Sequence, residues 1–514
     1  MLLLLLAWTL LFLASLRLSR LIGTYREDQL FLNFVSGLSA WLLLGHLWSF
    51  FLPARFFLLF LLGAVLLEIR DRRHGAFSLK TAQWKETVIL LACLFISSLP
   101  VWINDDLSYY LQSIKWFSDF GFEEGLAQWN IRLGLGSSWH LLSSFFYWDS
   151  ITPDRIWNFN GLLLFIFCVD GLRKGISLSG ISFAMVLSAP FLNAPSPDLP
   201  IILLTGFILL NHKELRMKDW SWLLVLIIGL KATAFSLVLA GCYPLLKYRS
   251  SFIRWSLLPV LMGIVWMMKN QVLSGHVLFP LPSSWWPAAY TLPNEMLLAF
   301  SRGVLAEIYG VGYSAQDWLN ADFSWTERLL ALFHLKTYKV IMNALILGSG
   351  IYLLFTLRKE KVGRVPFWSV WSLIFLLLWV VLAPNYRFGL GLAIAGIMLM
   401  FQQDFSQRIL KNFQLPVFGM ALAIMVWMNT SGKSNLHLLH CGDSFKVSLA
   451  MLISPTPYPV INPDWVNAPH SYYRPESCIY CGDTPTPCVP DTLKIYHEGF
   501  GVTPWNHPDP SSSE

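Results

Sequence analysis

Two adjacent carboxylates, Asp105 and Asp106, stand where an apolar stretch (residues 87–103) runs out into a polar segment. Ionisable groups at the lip of a bilayer are costly and tend to be functional. From there an acid can meet a water-borne acceptor on one side and a lipid-borne donor on the other. The pair suits a general base beside a charged partner, or a divalent cation held between the two acids. The bland reading is a pair of interfacial acids ending a helix, although acids at a helix C-terminus oppose the macrodipole.

Lys231 interrupts an apolar run from 223 to 239. There it must snorkel, find an acid or contact an anion, and as a compact point charge it suits a phosphate. Arg387, in Ala383-Pro-Asn-Tyr-Arg-Phe-Gly389, offers bidentate donors to phosphate oxygens; the alternative is an interfacial Arg beside Tyr386. Asp198 lies in a Pro195-Ser-Pro-Asp-Leu-Pro200 turn and reads equally as a turn acid. Arg132, His140, Lys269 and His276 are further candidates on the same side, set against the commoner role of a lone His as a core residue.

The elements that must position these residues are membrane helices. The chain of 514 residues is 55% hydrophobic and only 13% charged, with mean hydropathy +0.53, against roughly 25% charged in a soluble domain. Apolar windows predict an all-α polytopic protein with about fourteen spans. They fall near 2–20, 30–52, 54–69, 86–103, 155–172, 176–193, 199–213, 219–232, 233–247, 255–270, 339–357, 366–383, 389–402 and 415–430. Residues 1–16 lack a basic n-region and a small-residue cleavage site, so they read as a retained span.

Basic residues gather in alternate short loops, among them Arg17, Arg20 and Arg26; Arg70, Arg72 and Arg73; Arg173 and Lys174; Lys213, Arg216 and Lys218; and Arg358, Lys359 and Lys361. The positive-inside rule makes that side cytoplasmic. Both termini, the acidic pair and the other candidates then lie outside, provided 137–148 only dips into the outer leaflet. The net charge of +6 therefore reports membrane orientation and gives no nucleic-acid signal. Three parts follow: extra N-terminal spans (1–85), a core (86–430) with outer loops 104–154 and 271–338, and an outward tail (431–514). After Asp106, Leu107, Tyr110, Leu111, Ile114 and Phe117 form one stripe while Gln112, Lys115 and Asp119 fall off it. That predicts an amphipathic helix in the interface plane, the floor of a cleft. The 271–338 loop, rich in Trp and Pro, would be its wall.

Cys93, Cys168 and Cys242 fall within apolar spans and read as inert. Cys441, Cys478, Cys481 and Cys488 lie in the outward tail, where an even number favours two disulfides over a zinc site and permits three pairings. The tail reads as a small irregular cap. Phosphate-binding glycine loops, a serine nucleophile elbow and a zinc-protease motif are absent from the sequence, so a lipid-borne donor fits better than a cytosolic nucleotide.

Asp105-Asp-Leu-Ser-Tyr109 resembles the Asp-Glu-x-x-Tyr that opens the first large outer loop in GT-C membrane glycosyltransferases of the aminoarabinose and protein-mannosyl branches. Asp198 is similar in place to the acid of the next outer turn. Gly229-Leu-Lys231 resembles a Thr-Lys-Gly phosphate contact, and Asn270 to Pro280 resembles a loop frequent in bacterial members. Ile114-Lys-Trp116, Arg132-Leu-Gly134, Ser137-Ser-Trp139, the Arg387 segment and Cys481-Gly-Asp-Thr-Pro-Thr-Pro-Cys488 resemble an uncharacterised family of such proteins in spirochaetes and Bacteroidetes. Three spans precede the acidic loop here, the second acid is Asp and not Glu, and Lys231 lacks the flanking Thr and Gly. The resemblance implies sugar transfer, with inversion, from a polyprenyl-phosphate carrier to a glycan, lipid or protein acceptor on the outer face of a bacterial cytoplasmic membrane. It implies Asp105 as base or acceptor-orienting acid, Asp106 as its support or a metal ligand, and Lys231 and Arg387 on the donor phosphate. Tyr109, Arg132, His140, Asp198, Lys269 and His276 would line the cleft. The competing classes are a flippase or transporter of lipid-linked saccharides and a non-catalytic scaffold.

Overall fold

A computed structural model of the chain describes residues 1–73, 83–101, 103, 105–148, 155–231, 234–309, 324, 326, 337–359, 366–382, 385–402, 414–430, 449–455, 463–466 and 472–475. The helices are α1 (Leu2–Leu21), α2 (Leu30–Ser49), α3 (Leu58–Arg73), α4 (Trp84–Ser98), α5 (Leu111–Phe120), α6 (Leu126–Trp129), α7 (Ser138–Ser144), α8 (Asn160–Arg173), α9 (Leu178–Ser188) and α10 (Asp198–Asn211). They continue with α11 (Met217–Leu230), α12 (Phe235–Ala240), α13 (Cys242–Lys247), α14 (Arg249–Ser274), α15 (Asn294–Tyr309), α16 (Thr337–Leu357), α17 (Phe367–Leu382), α18 (Tyr386–Gln402) and α19 (Gln414–Thr430). Apart from one short antiparallel pair, Pro463–Val466 with Tyr472–Pro475, the described chain is helical.

One hydrophobic core runs from Leu4 in α1 to Met398 in α18 and Met425 in α19. Small residues let its helices approach closely, as membrane helices require. A Cβ on Gly37 of α2 would meet the Ser15 carbonyl of α1. Gly391 and Gly396 of α18 sit against Thr205 of α10 and Ser349 of α16. The N-terminal helices share this core, and α2 packs on α8 and α11.

Four helical segments are long and apolar enough to cross a membrane: Leu2–Leu21, Leu30–Ser49, Ile253–Ser274 and Lys339–Leu357. Six further apolar segments have 10–17 residues. The expected count of fourteen spans is therefore too high among the described residues. A hydropathy window counts apolar residues whether or not they share one helix, and at 1.5 Å per residue a 14-residue helix covers only about 21 Å of a core near 30 Å. The expected span 233–247 shows the cause, since it breaks at Gly241 into α12 and α13, leaving Cys242 exposed.

Two other expectations change. The helix after Asp106 is a π turn (Asp106–Tyr110) running into α5, and its off-stripe residues are covered: Gln112 and Lys115 are buried, and Asp119 pairs with Arg55 at 2.8 Å. The helix is covered by other chain and does not present a bare polar face, and the turn after it is tied to the end of α2 by Phe122 N–H donating to the Ser49 carbonyl at 2.7 Å. The 271–338 segment is not one long loop, for α14 extends to Ser274 and α15 occupies Asn294–Tyr309. Cys441, Cys478, Cys481 and Cys488 lie outside the described residues, and the three described cysteines are free.

Helix ends sort charge. Where α1, α3, α8 and α10 end and α2, α4 and α11 begin, Arg17 pairs with Asp71, Arg20 with Glu68, Arg26 and Arg216 with Asp219, and Arg173 with Glu86. The opposite end carries Asp105, Asp198, Lys231 and Arg387.

Candidate functional site

Helix α10 begins at Asp198 because Pro197 precedes it and Ser196 Oγ accepts the Asp198 N–H at 3.3 Å. That turn is fixed from below by Asn160, whose amide nitrogen donates to the carbonyls of Phe191 (2.8 Å), Ala194 (2.7 Å) and Ser196 (3.1 Å). Trp139 in turn donates its indole N–H to Asn160 Oδ1 at 2.6 Å. Next door, Arg155 takes φ +65°, unusual for a residue with a Cβ, and donates to the Ser97 and Asn193 carbonyls at 3.3 and 2.5 Å. The polar knot thus ties together the ends of α4, α8 and α10.

Lys231 follows the last turn of α11 in extended backbone. Helix α11 approaches closely here because Gly229 faces Ser138, whose Oγ would lie 2.1 Å from any added Cβ. Arg387 is the second residue of α18, and its backbone N–H is accepted by Asn385 Oδ1 at 3.1 Å.

These ends converge. Arg387 Nη1 lies 3.0 Å from Asp105 Oδ2 and 3.9 Å from Asp198 Oδ2, and Lys231 Nζ lies 3.0 Å from Asp198 Oδ1. The result is an alternating chain of acid, base, acid and base drawn from four separate stretches of sequence. Lys231 Nζ also sits 5.3 Å from the centre of the Phe388 ring, a cation–π contact. Asp198 is sealed, at 1% exposure, while Lys231, Arg387 and Asp105 retain 17%, 24% and 21%. Three members are therefore reachable by a ligand, and the fourth, Asp198, is the buried counter-ion of Lys231 and Arg387.

Burial alone would raise the Asp105 carboxyl. Arg387, Arg132 and Lys231 outweigh it and hold the group below its ordinary value, so Asp105 is ionised at neutral pH. Tyr110 Oη stands 3.5 Å from both Asp105 Oδ2 and Ser196 Oγ. Burial and the nearby charges of Asp105 and Asp198 push both Tyr109 and Tyr110 well above the ordinary phenol value. His140 packs its ring 4.6 Å from that of Tyr110 and 5.9 Å from that of Tyr109. Neither of its buried ring nitrogens has a hydrogen-bond partner among the described residues. Burial, with Lys231 and Lys269 nearby, lowers its pKa to about 3, so it is a neutral imidazole.

Of the remaining expected residues, Arg132 lies close by: its Nη1 donates to Ser108 Oγ at 3.3 Å, and Asn130 accepts its backbone N–H at 2.9 Å. Lys269 donates to the Gly136 carbonyl. Asp106 is fully buried. His276 departs from expectation. Its Nε2 meets the Leu292 carbonyl at 2.7 Å and its Nδ1 accepts the Ser283 N–H at 3.0 Å, so both nitrogens are used in holding the 276–292 loop. Among the described residues no group of three or more His, Cys, Asp or Glu could hold a metal ion; Asp105 is engaged by Arg387 instead.

Sequence reasoning missed Tyr110, Ser196, Asn160 and Phe388. Only Tyr110 carried a signal, as an aromatic five residues after the acid; the other three act through a fold that spacing does not encode.

A family model described as Domain of unknown function (DUF8201) matches residues 1–394, and the chain belongs to that family. Comparison with curated proteins gives no match. Comparison with solved structures gives none either.

Proposed function

We propose that this member of the DUF8201 family is a GT-C-type glycosyltransferase of a bacterial cytoplasmic membrane, with the Asp105 end outside, using a polyprenyl-phosphate sugar. The observation that supports it most is the partly open chain Asp105, Arg387, Asp198 and Lys231 at one end of a helical bundle with membrane-length helices. In the proposed reaction an acceptor hydroxyl oxygen bonds to the anomeric carbon, the bond from that carbon to the phosphate oxygen breaks with its electron pair going to that oxygen, and polyprenyl phosphate leaves carrying the hydroxyl proton. Lys231 and Arg387 would meet the charge that grows on the leaving phosphate, where fixed cations act most strongly. Asp198 keeps both cations aligned until then.

Asp105 suits orientation of the acceptor and stabilisation of positive charge on the sugar better than proton abstraction. A general base works best with a pKa near the operating pH, and Arg387 holds Asp105 below even the ordinary carboxylate value. The orientation follows from charge: Arg17, Arg20, Arg26, Arg173 and Arg216 mark the opposite end, which the positive-inside rule puts in the cytoplasm.

The test is the lipid and glycan inventory of a deletion strain complemented with wild type or with Asp105→Asn. Accumulation of a sugar-phosphate lipid with loss of one surface glycan, in the deletion and in Asp105→Asn alike, is the expected result. Normal glycans with the fully expressed Asn variant would remove Asp105 from the chemistry and favour transport of the lipid-linked saccharide.

A further inference from the structure

The segment between α14 and α15 exposes two adjacent tryptophans, Trp285 and Trp286, at 59% and 66%, with ring centres 6.1 Å apart. Such exposure of large aromatics asks for a partner. The loop that presents them is held in place. His276 clamps it from both ring nitrogens, Leu278 N–H donates to Ser283 Oγ at 2.8 Å, and Gln271 of α14 donates its amide to the Trp286 carbonyl at 2.7 Å.

Gln271 supplies a measure of depth. On α14, Ile253, Leu257, Ile264 and Met268 form an exposed apolar stripe within a segment of membrane-spanning length. From Ile253 to Gln271 the helix rises about 27 Å at 1.5 Å per residue, close to the hydrocarbon thickness of about 30 Å. The near end of that interval is marked by Trp255, with the Arg254 guanidinium 5.5 Å and the Lys218 ammonium 5.3 Å from its ring. The far end is marked by Trp285 and Trp286. A tryptophan on one end of a lipid-facing helix and a pair tied to its other end, one bilayer core apart, are what the two interfacial belts of a membrane demand.

We infer that Trp285 and Trp286 form a membrane anchor, seated among the phospholipid headgroups of the leaflet at the Asp105 end. The occupant is lipid and not a protein partner, because the patch continues the bare stripe of α14. The anchor also fixes the depth of the charged cluster. Lys269, two residues before Gln271 and about 3 Å deeper along the helix axis, points inward to the Gly136 carbonyl and lies near His140. The site therefore stands level with lipid phosphates. This last consequence for a lipid-borne donor rests on the proposed function; the membrane contact does not.

The experiment places benzoylphenylalanine singly at 285, 286 and, as a lipid-facing reference, 264. The full-length protein is reconstituted in nanodiscs of phosphatidylethanolamine and phosphatidylglycerol at 3:1, irradiated and weighed intact. Phospholipid adducts at 286 or 285, at a yield within about threefold of that at 264, are expected. Adducts at 264 with none at 285 or 286 would overturn the inference, as would cross-links at 285 and 286 only to a second protein chain. Normal glycans in the Asp105→Asn strain, with lipid adducts present here, would sink the proposed enzyme and leave the anchor standing.

Discussion

Asp219 and Asp198 are equally buried, yet their surroundings differ. At the basic end, Asp219 Oδ2 accepts from Arg26 Nη2, from Arg216 N–H at 2.9 Å and from Arg216 Nε at 3.1 Å, while Oδ1 accepts from Arg216 Nη2 at 3.1 Å. At the other end, among the described residues, Asp198 Oδ1 accepts from Lys231 alone, and Oδ2 has no hydrogen bond, only Arg387 at 3.9 Å. The first acid is saturated and belongs to a latch between α1, α2 and α11. The second keeps spare capacity beside two partly open cations and an imidazole with two unused nitrogens. Buried polar groups are normally satisfied, so the contrast separates a finished structural contact from a site still short of a partner.

The contrast can be broken most directly at the latch. Asp219→Ala removes the shared acceptor of Arg26 and Arg216 and is expected to cost about 2–3 kcal/mol, read as a clear fall in melting temperature in detergent, with the Asp105 end chemically unaltered. Next, Asp105→Asn removes the charge proposed to stabilise the sugar and is expected to cut its transfer by about 100-fold or more while melting within a few degrees of wild type. A similar loss of melting temperature in both variants would erase the distinction between the two ends.

A milder effect is expected from the paired change Asp198→Leu with Lys231→Met. Removing both partners of a buried ion pair is often neutral for folding. This double variant should therefore keep its melting temperature yet lose the thermal stabilisation that a short-chain polyprenyl phosphate gives wild type. Retained stabilisation would show that the pair has no part in anion binding.

The smallest effect concerns His140. Its folded-state pKa of about 3 lies below the ordinary 6.5, so between those values the unfolded chain binds more protons. Its contribution to stability is then complete above pH 6.5 and declines as the pH falls toward 3. His140→Phe should flatten the wild-type loss of melting temperature across that window; an unchanged slope would assign the acid sensitivity elsewhere.

What the sequence made legible was the gathering of charge. Lys231, Asp198, Asp105 and Arg387 each interrupt or border an apolar run, and alternate crossing of a membrane brings such breaks to one end. Their pairing was not legible, because it depends on Gly229 packing against Ser138 and on Asn160 shaping a turn more than 30 residues away. The burial of α5 was equally hidden. Periodicity reports that Gln112 and Lys115 are polar, but not that other chain lies over them. The span count erred for a related reason, since windows see apolar content while Gly241 ends a helix.

Asn160 carries one more implication, for anyone recombining relatives of this chain. Residues 189–200 look like a portable loop with an acid near its tip. Transplanted without Asn160 and Trp139, that loop would arrive with three carbonyl oxygens, those of Phe191, Ala194 and Ser196, deprived of their shared donor. A chimera crossing over between 160 and 189 would inherit the acid but not its aim.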